Sequence, residues 1–377
     1  MVYTLRLFDT KLLCFSAEPK SSEPLYKIIW IDEEKKSLLP LDLLPTEVGL
    51  ESWIRHRNIP KNRAFVDSFL AKSGLSANRP LGIISVSKGL SLTDSYWITE
   101  EGFEGTFEEY NLYENRFSRL LGNIAFTGYG SSVRSGFASS PEFTTNGMLP
   151  KCWRRISGKI ELYKGGTSGA SNTGFEPYSE FYAYQIASAM GIKAVPYGLS
   201  RWKGILCSTC ALFTSKEFSF MPVGRIVKQG GFKAVAAFYK SLGTEFEDSL
   251  YDMLVFDAVV KNVDRHYGNF GFIVQSRTNK IVAPSPLFDH GNSLYSLAGS
   301  GDFDSAERLS DYDKSLEPCV YDGFTETARQ YMTGRQKERL RKLLDFRFKK
   351  HPRYNLDGMR LRRIEQQVRK NAAVVMG

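Results

Sequence analysis

The segment Asn262-Val263-Asp264-Arg265-His266-Tyr267-Gly268-Asn269-Phe270, taken with Leu287-Phe288-Asp289-His290-Gly291-Asn292, constrains this chain more than any other stretch. Asp264 follows the apolar run Leu254-Val255-Phe256-Asp257-Ala258-Val259-Val260, which predicts a buried helix anchoring the loop. Between Asn269 and Asp289, residues 270–274 and 281–282 are apolar around Arg277-Thr278-Asn279-Lys280, which predicts a β-hairpin. A hairpin doubles the chain back, so Asn269 and Asp289 fall at one end of the same ribbon. One amide and one carboxylate placed together suit magnesium, which takes oxygen donors and completes its shell with phosphate and water. An Asp and an Asn five residues apart, taken alone, could equally cap a turn. The hairpin and the Phe-Asp pair beyond it raise the pattern above chance.

An Asp, an Asn five residues on and a second Asp twenty beyond is the spacing of a protein-kinase catalytic centre. There the first Asp takes the proton of the acceptor hydroxyl, and the other two hold the metal on the nucleotide phosphates. Asp264 is therefore expected as base, Asn269 and Asp289 as metal ligands, and ATP and Mg2+ as cofactors. A kinase also needs a lysine on the phosphates and a glutamate to hold it. Two strands are predicted over 149–155 and 159–164, turning at Ser157-Gly158, and Lys164 ends the second. Glu180 lies one turn into a helix predicted from Tyr178 to Met190, and Lys164 with Glu180 is the expected pair. Taken alone, Lys164 reads as a solvated strand end and Glu180 as a first-turn acid favoured by the helix dipole. Glu176 is the rival partner, but its position before Pro177 is expected to keep it outside the helix. The loop 143–151 is expected to cover the phosphates through its backbone amides, Gly147 and Lys151, although it is neither GxGxxG nor Walker A. The second glycine loop, from Gly165 to Gly169, reads as a flap or an ordinary connection.

The rest of the chain organises around this centre. Residues 1–125 read as a mixed α/β unit: strands at 3–8 and 26–31, a helix opened by Pro45-Thr46-Glu47 and running past Ile54, and another from Arg63 to Ala71. The aromatic stretch 94–98 reads as packing, and the unit carries no motif that converts to chemistry. Residues 127–141 are rich in Gly, Ser and Pro, a loop or linker composition. A sheet-rich small lobe is expected over 126–215, including strands at 195–200 and 205–213, and a helical large lobe over 216–377, with the nucleotide between them. The expected fold class is α+β and bilobal. At 377 residues the chain is long enough for such a plan.

Net charge is +9, yet residues 335–370 hold fourteen Lys/Arg against four Asp/Glu, +10, so the remainder sums to −1. That segment reads as helices with solvated basic faces, or as a patch for weak nucleic-acid contact or an acidic partner. Of five cysteines, Cys207 and Cys210 form one CxxC with no second pair for a structural zinc. The thiols are read as reduced and the protein as cytoplasmic. No apolar run reaches eighteen residues, so no membrane span is expected, and the first residues lack the pattern of a signal peptide.

Several motifs together resemble the HipA-like kinases, Ser/Thr kinases of bacterial toxin–antitoxin modules and their relatives. They are Asn146-Gly147-Met148-Leu149-Pro150-Lys151, Leu162-Tyr163-Lys164, Ser179-Glu180-Phe181-Tyr182-Ala183, Met190-Gly191-Ile192-Lys193-Ala194-Val195-Pro196, Asp264-Arg265-His266-Tyr267-Gly268-Asn269-Phe270 and Pro286-Leu287-Phe288-Asp289. The match covers about residues 140–300. The resemblance implies a HipA-like, protein-kinase-like fold with Asp264 as base, Asn269 and Asp289 on the metal, Lys164 on the nucleotide with Glu180 as its partner, and His266 in the catalytic loop. A family-type segment joining the lobes is not evident; the joint is expected at Cys210-Ala211-Leu212-Phe213-Thr214, with Leu212 and Phe213 beside the nucleotide. The implied activity is phosphorylation of an unidentified protein, and of the chain itself, on Ser or Thr. An antitoxin-like or DNA-binding partner is implied with it. A lipid or small-molecule kinase on the same fold, and a nucleotide- or nucleic-acid-binding regulatory protein, are the competing functions.

Overall fold

The computed structural model describes residues 1–18, 25–132 and 140–377. Residues 133–139 of the expected Gly/Ser-rich loop lie outside the described residues. The chain groups into two compact units. The first holds Met1–Lys164, Ala211–Met221 and Ile273–Val282, and the second Gly165–Cys210, Pro222–Phe272 and Ala283–Gly377.

The first unit opens with strands β1 (Val2–Leu7), β2 (Thr10–Ser16), β3 (Lys27–Ile31) and β4 (Tyr96–Glu100), ordered β3-β2-β1-β4. Alternation in β1 sends Tyr3, Leu5 and Leu7 into the core, opposite Phe15 and Leu13 of β2. The Tyr3 and Phe15 rings stack at 5.3 Å. Helices α1 (Glu47–Arg55), α2 (Val66–Lys72), α3 (Pro80–Ser87), α4 (Phe107–Tyr110) and α5 (Arg119–Thr127) follow. Leu50, Trp53 and Ile54 of α1 and Leu81 and Ile84 of α3 share the β1–β2 core. Trp97 of β4 is fully buried and donates to the Phe8 carbonyl at 2.6 Å, so the 94–98 stretch packs as expected. The helix expected from Arg63 begins at Val66 instead, because Arg63 is drawn into buried hydrogen bonds and Phe65 turns left-handed at φ 61°. Strands β5 (Lys151–Ile156) and β6 (Lys159–Gly165) form the expected hairpin, Ser157 and Gly158 taking the positive φ of its turn.

In the second unit, helix α6 (Glu176–Met190) ends on Gly191 at φ 71°. Glu176 was expected outside this helix and is its first residue. The first helical turn tolerates Pro177, since an N–H there has no intrahelical acceptor to lose. Strands β7 (Tyr197–Trp202) and β8 (Ile205–Ala211) pair antiparallel. β8 stops at Ala211, so Leu212 and Phe213 follow the strand rather than lying in it. Most of strand β9 (Phe218–Pro222) and, later, of β10 (Gly271–Gln275) and β11 (Lys280–Pro284) belongs to the first unit, and the three form a sheet with β10 central. The hairpin read between Asn269 and Asp289 is therefore β10–β11.

Helices α7 (Val223–Ile226), α8 (Gly231–Leu242), α9 (Thr244–Val260), α10 (Ala306–Lys314), α11 (Phe324–Tyr331), α12 (Gly334–Arg341) and α13 (Gly358–Met376) complete the second unit. From Leu250 to Val260 α9 is apolar on nearly every face, which suits only a central helix. Helices α8, α11, α12 and α13 pack around it. Helix α13 is capped by Asp357, which accepts from the Met359 and Arg360 amides, and buries Leu361, Ile364, Val368, Ala372 and Val375 at helical spacing. Among the described residues, no helix is long and apolar enough to cross a membrane.

Candidate active site

Helix α9 delivers the loop. Lys261 closes it in a left-handed conformation at φ 53°, and the chain turns through Asn262 and Val263 to Asp264. The loop is pinned from beneath by Arg265, which is fully buried. Its guanidinium makes a two-pronged pair with Asp257 of α9, Nε to Oδ2 at 2.9 Å and Nη2 to Oδ1 at 3.1 Å. Nη1 donates to the carbonyls of Asn269 at 3.1 Å and Phe288 at 2.7 Å. Nη2 also meets His290 Nδ1 at 3.1 Å; arginine only donates, so Nδ1 accepts and the imidazole proton sits on Nε2. One side chain thus ties α9, the 264–269 loop and the segment after β11 together. Burial pushes the Asp257 carboxyl up, and the Arg265 charge pulls it back. Burial works against the Arg265 charge as well, but the carboxylate beside it leaves the guanidinium above its ordinary value. The two groups form a buried ion pair.

Within the loop each group has a defined partner. The Asp264 amide donates to Asn262 Oδ1 at 3.2 Å. The Asp264 carbonyl accepts from the His266 amide at 2.8 Å and from Asn269 Nδ2 at 3.1 Å. Asn269 thereby commits its nitrogen to the loop, and its amide oxygen is the end left for a cation. The Asp264 carboxylate accepts from Asn292 Nδ2 through Oδ2 at 3.0 Å. His266 is exposed, and its Nδ1 accepts from the Gly268 amide at 3.0 Å. A Cβ at Gly268 would come within 2.8 Å of the His266 ring, so a larger residue there would push the imidazole from this position.

Asp289 is fixed by its backbone. Leu287 pairs with residues 193–195, its amide donating to Lys193 O at 2.9 Å and its carbonyl accepting from Val195 N at 2.8 Å. Asp289 itself is left-handed at φ 57°, a conformation a non-glycine residue holds only where the surroundings over-determine it. Its amide donates to the Tyr197 hydroxyl at 3.0 Å, and the next amide, of His290, donates to Glu180 Oε2 at 2.8 Å. Burial, with the Glu180 and Asp289 carboxylates adding to it, holds Tyr197 well above the ordinary phenol range, so it stays protonated. Glu180 is fully buried. Glu176 acts elsewhere. Its Oε1 accepts from the Thr167 amide at 3.2 Å and hydroxyl at 2.6 Å, holding the base of the 165–174 glycine loop.

The remaining expected residues lie in the first unit. Lys151 and Lys164 are direct partners in the β5–β6 ladder, so their side chains project from the same face, and both are largely buried. Lys151 Nζ donates to Asn146 O at 2.9 Å. Gly147 is left-handed at φ 93°, and a Cβ there would collide with the Lys151 ammonium. The loop is clamped by Arg63, whose Nη1 donates to the carbonyls of Glu142 at 3.0 Å and Thr145 at 3.1 Å. Its Nη2 donates to Lys151 O at 2.7 Å and to the buried Glu142 carboxylate at 2.5 Å. Glu142 in turn accepts from the Trp153 amide at 2.7 Å. The Leu212 amide donates to Ile160 O at 2.9 Å, and the Phe213 ring meets Phe220 edge-on at 5.6 Å. Lys164 and Glu180 belong to different units.

The structure thus brings Asp264 and Asn269 together, and fixes Asp289 and Glu180 around the 287–290 segment. The sequence reading did not single out Asp257, Arg265, Tyr197, Asn292, Arg63 or Glu142 for these parts. A signal existed for Asp257: a carboxylate inside an apolar helix requires a buried partner. The others depend on where distant segments meet, and no local pattern marks them.

No family model matches the chain. Among curated proteins it is 27% identical over 139 residues to the serine/threonine-protein kinase CtkA of Helicobacter pylori strain J99. That match covers 32% of this chain and 41% of CtkA, so the chain spans well under half the length of that relative. Among solved structures it is similar to HipA in the Shewanella oneidensis complex of HipA, HipB and operator DNA. The TM-score is 0.57 at 12% identity, covering 98% of this chain and 96% of that one. The crystal structure of H. pylori CtkA, a proinflammatory kinase, aligns at TM-score 0.47 and 16% identity over 62% of this chain and 92% of that one. The fold is the α+β, protein-kinase-like fold of HipA. The weak sequence match to CtkA agrees with the HipA-like resemblance carried by the motifs.

Proposed function

We propose that this chain is an ATP- and magnesium-dependent kinase that phosphorylates a serine or threonine hydroxyl of a protein. The observation that carries the reading is the 264–292 assembly. Asp264 is held with one carboxylate oxygen on Asn292, beside an Asn269 whose nitrogen is spent on the loop, while Asp289 is fixed in a left-handed backbone. The amide oxygen of Asn269 and the carboxylate of Asp289 are hard oxygen donors, few in number, and fit magnesium rather than zinc. When bound, magnesium ATP supplies the transferable phosphoryl group and the neutralisation of its phosphate charge. Asp264 accepts the proton of the acceptor hydroxyl. Arg265 keeps the loop and the Asp289 segment in register through its bonds to Asn269 O and Phe288 O. Lys164, Lys151 and the loop around Gly147 carry positive charge and amide donors for the phosphates, and Leu212 and Phe213 flank the base. His266 shapes the catalytic loop through Gly268.

On this reading residues 126–215 act as the small lobe and 216–377 as the large lobe. The chain also phosphorylates itself, and it works in the cytoplasm. The HipA neighbour stands in a complex with HipB and operator DNA. By that likeness an antitoxin-like or DNA-binding partner is proposed, with the exposed cations of 335–370 as a weak nucleic-acid surface.

The test is transfer from γ-labelled ATP with magnesium into a cell lysate, followed by fractionation and phosphoamino-acid analysis. The expected result is label on phosphoserine or phosphothreonine of the chain and of a lysate protein. Label confined to lipid or small molecules would replace the acceptor class; no label in any fraction would overturn the reading.

A further inference from the structure

Asn292 touches the carboxylate that the proposed reaction depends on, and nothing in the kinase spacing calls for it. We infer that Asn292 is a positioning residue for Asp264; the inference rests on the kinase reading above. The Asp264 carboxylate turns on two side-chain bonds and would otherwise sweep a range of orientations. Asn292 Nδ2 holds Oδ2 at 3.0 Å, which leaves Oδ1 as the oxygen that meets the acceptor proton. A neutral amide does this without adding a like charge beside the base.

Asn292 is itself held firmly enough to act in this way. Its carbonyl accepts from Val263 N at 3.1 Å, and Leu294 N donates to Val260 O at 2.8 Å, so residues 292–294 lie along the chain leading to Asp264. Ser293 Oγ donates to His290 O at 2.7 Å, and Ser179 Oγ of α6 donates to Ser293 O at 2.9 Å. Leu294 and Tyr295 are both left-handed, at φ 48° and 61°, which needs outside support. That support comes from the C-terminal helices. The Tyr295 hydroxyl donates to Asp313 Oδ1 at 2.6 Å, Asn371 Nδ2 donates to the same oxygen at 2.8 Å, and Arg360 Nη2 donates to Tyr295 O at 2.8 Å. Since Asn292 lies three residues after Asp289, the bond to Asp264 also joins the base to the metal-binding segment.

The experiment compares wild type, Asn292→Leu, Asn292→Ser and Asp264→Ala in the transfer assay, with KM for ATP and the thermal midpoint of each. Leucine keeps the volume and removes the donor; serine keeps a donor. Misorientation of a base costs about 10- to 100-fold in rate. The expected result is kcat about 10- to 100-fold lower in Asn292→Leu, with KM for ATP within about twofold of wild type, and most of the rate restored in Asn292→Ser. Asn292→Leu at the wild-type rate, or Asn292→Ser as slow as Asn292→Leu, would overturn the inference. Should Asn292→Leu melt early, the rate of Asn292→Ser relative to Asp264→Ala decides. Absence of transfer by wild type itself removes the kinase reading, and the inference goes with it.

Discussion

Arg265 shows how much of the site hangs on one side chain. It is fully buried, pairs with Asp257 through two hydrogen bonds, and reaches the backbone at Asn269 and Phe288. Removing one partner of a buried ion pair leaves the other charge uncompensated, at about 3–5 kcal/mol. Arg265→Met is therefore expected to lower unfolding stability by about that amount, measured by denaturant titration. Adding Asp257→Leu is expected to recover much of the loss, because an apolar pair of similar volume needs no desolvation of charge. Among single residues the sequence was most legible where the contacts are local in the chain, as for Asn269 Nδ2 on the Asp264 carbonyl. Asp264, Asn269 and Asp289 could be picked out because a loop and a hairpin join them. Asn292 and Tyr197 could not, since their roles come from the path of the chain in three dimensions. The sequence points Glu180 towards Lys164; within its own unit it accepts from the His290 amide.

Among the helices and strands, hydrophobic pattern identified α9, whose apolar residues run all round, and the β5–β6 and β10–β11 hairpins, whose turns carry their own residues. It failed where a local preference was overridden. Pro177 was read as excluding Glu176 from α6, but the first helical turn accepts proline and Glu176 is needed to hold Thr167. Helix α3, with the sequence Pro80-Leu81-Gly82-Ile83-Ile84-Ser85-Val86-Ser87, has no polar face to betray its period and was not anticipated. The connection between α12 and α13 carries a pH-sensitive contact. His351 Nδ1 accepts from the amides of Arg353 at 3.2 Å and Tyr354 at 3.1 Å, and its ring stacks on Tyr354 at 5.3 Å. Burial, and then the Arg353 charge, hold the imidazole below its ordinary value of 6.5. A depressed folded value means this contact contributes stability above pH 6.5 and loses it as pH falls through the folded value. The thermal midpoint of wild type is expected to fall between about pH 7.5 and about pH 5 by more than that of His351→Asn, measured by scanning calorimetry. Equal falls would remove His351 from the pH response.

For the molecule as a whole, the sequence conveyed an α+β kinase-like fold but not how the chain is shared between its units. The N-terminal residues carry no motif, yet Arg63 holds the 142–151 loop through three carbonyls and Glu142. The basic C-terminal segment was counted as +10, and part of that charge is structural. Arg335 pairs with Asp248, Arg339 with Asp252, and Arg369 with Glu365, while Arg360 lies between the rings of Phe175 and Phe303. Charge counting cannot tell such cations from solvated ones, because several of their partners lie far away in sequence.

If Asp264 and Asp289 serve one phosphoryl transfer in different roles, their variants must fail differently, and the decisive measurement compares the two side by side. Transfer from γ-labelled ATP and magnesium-dependent ATP binding would be followed in wild type, Asp264→Ala and Asp289→Asn. Asp264→Ala is expected to bind magnesium ATP as wild type does and to transfer at least about 100-fold more slowly. Asp289→Asn is expected to lose both transfer and the magnesium-dependent part of binding. Wild-type turnover in either variant would contradict the assignment.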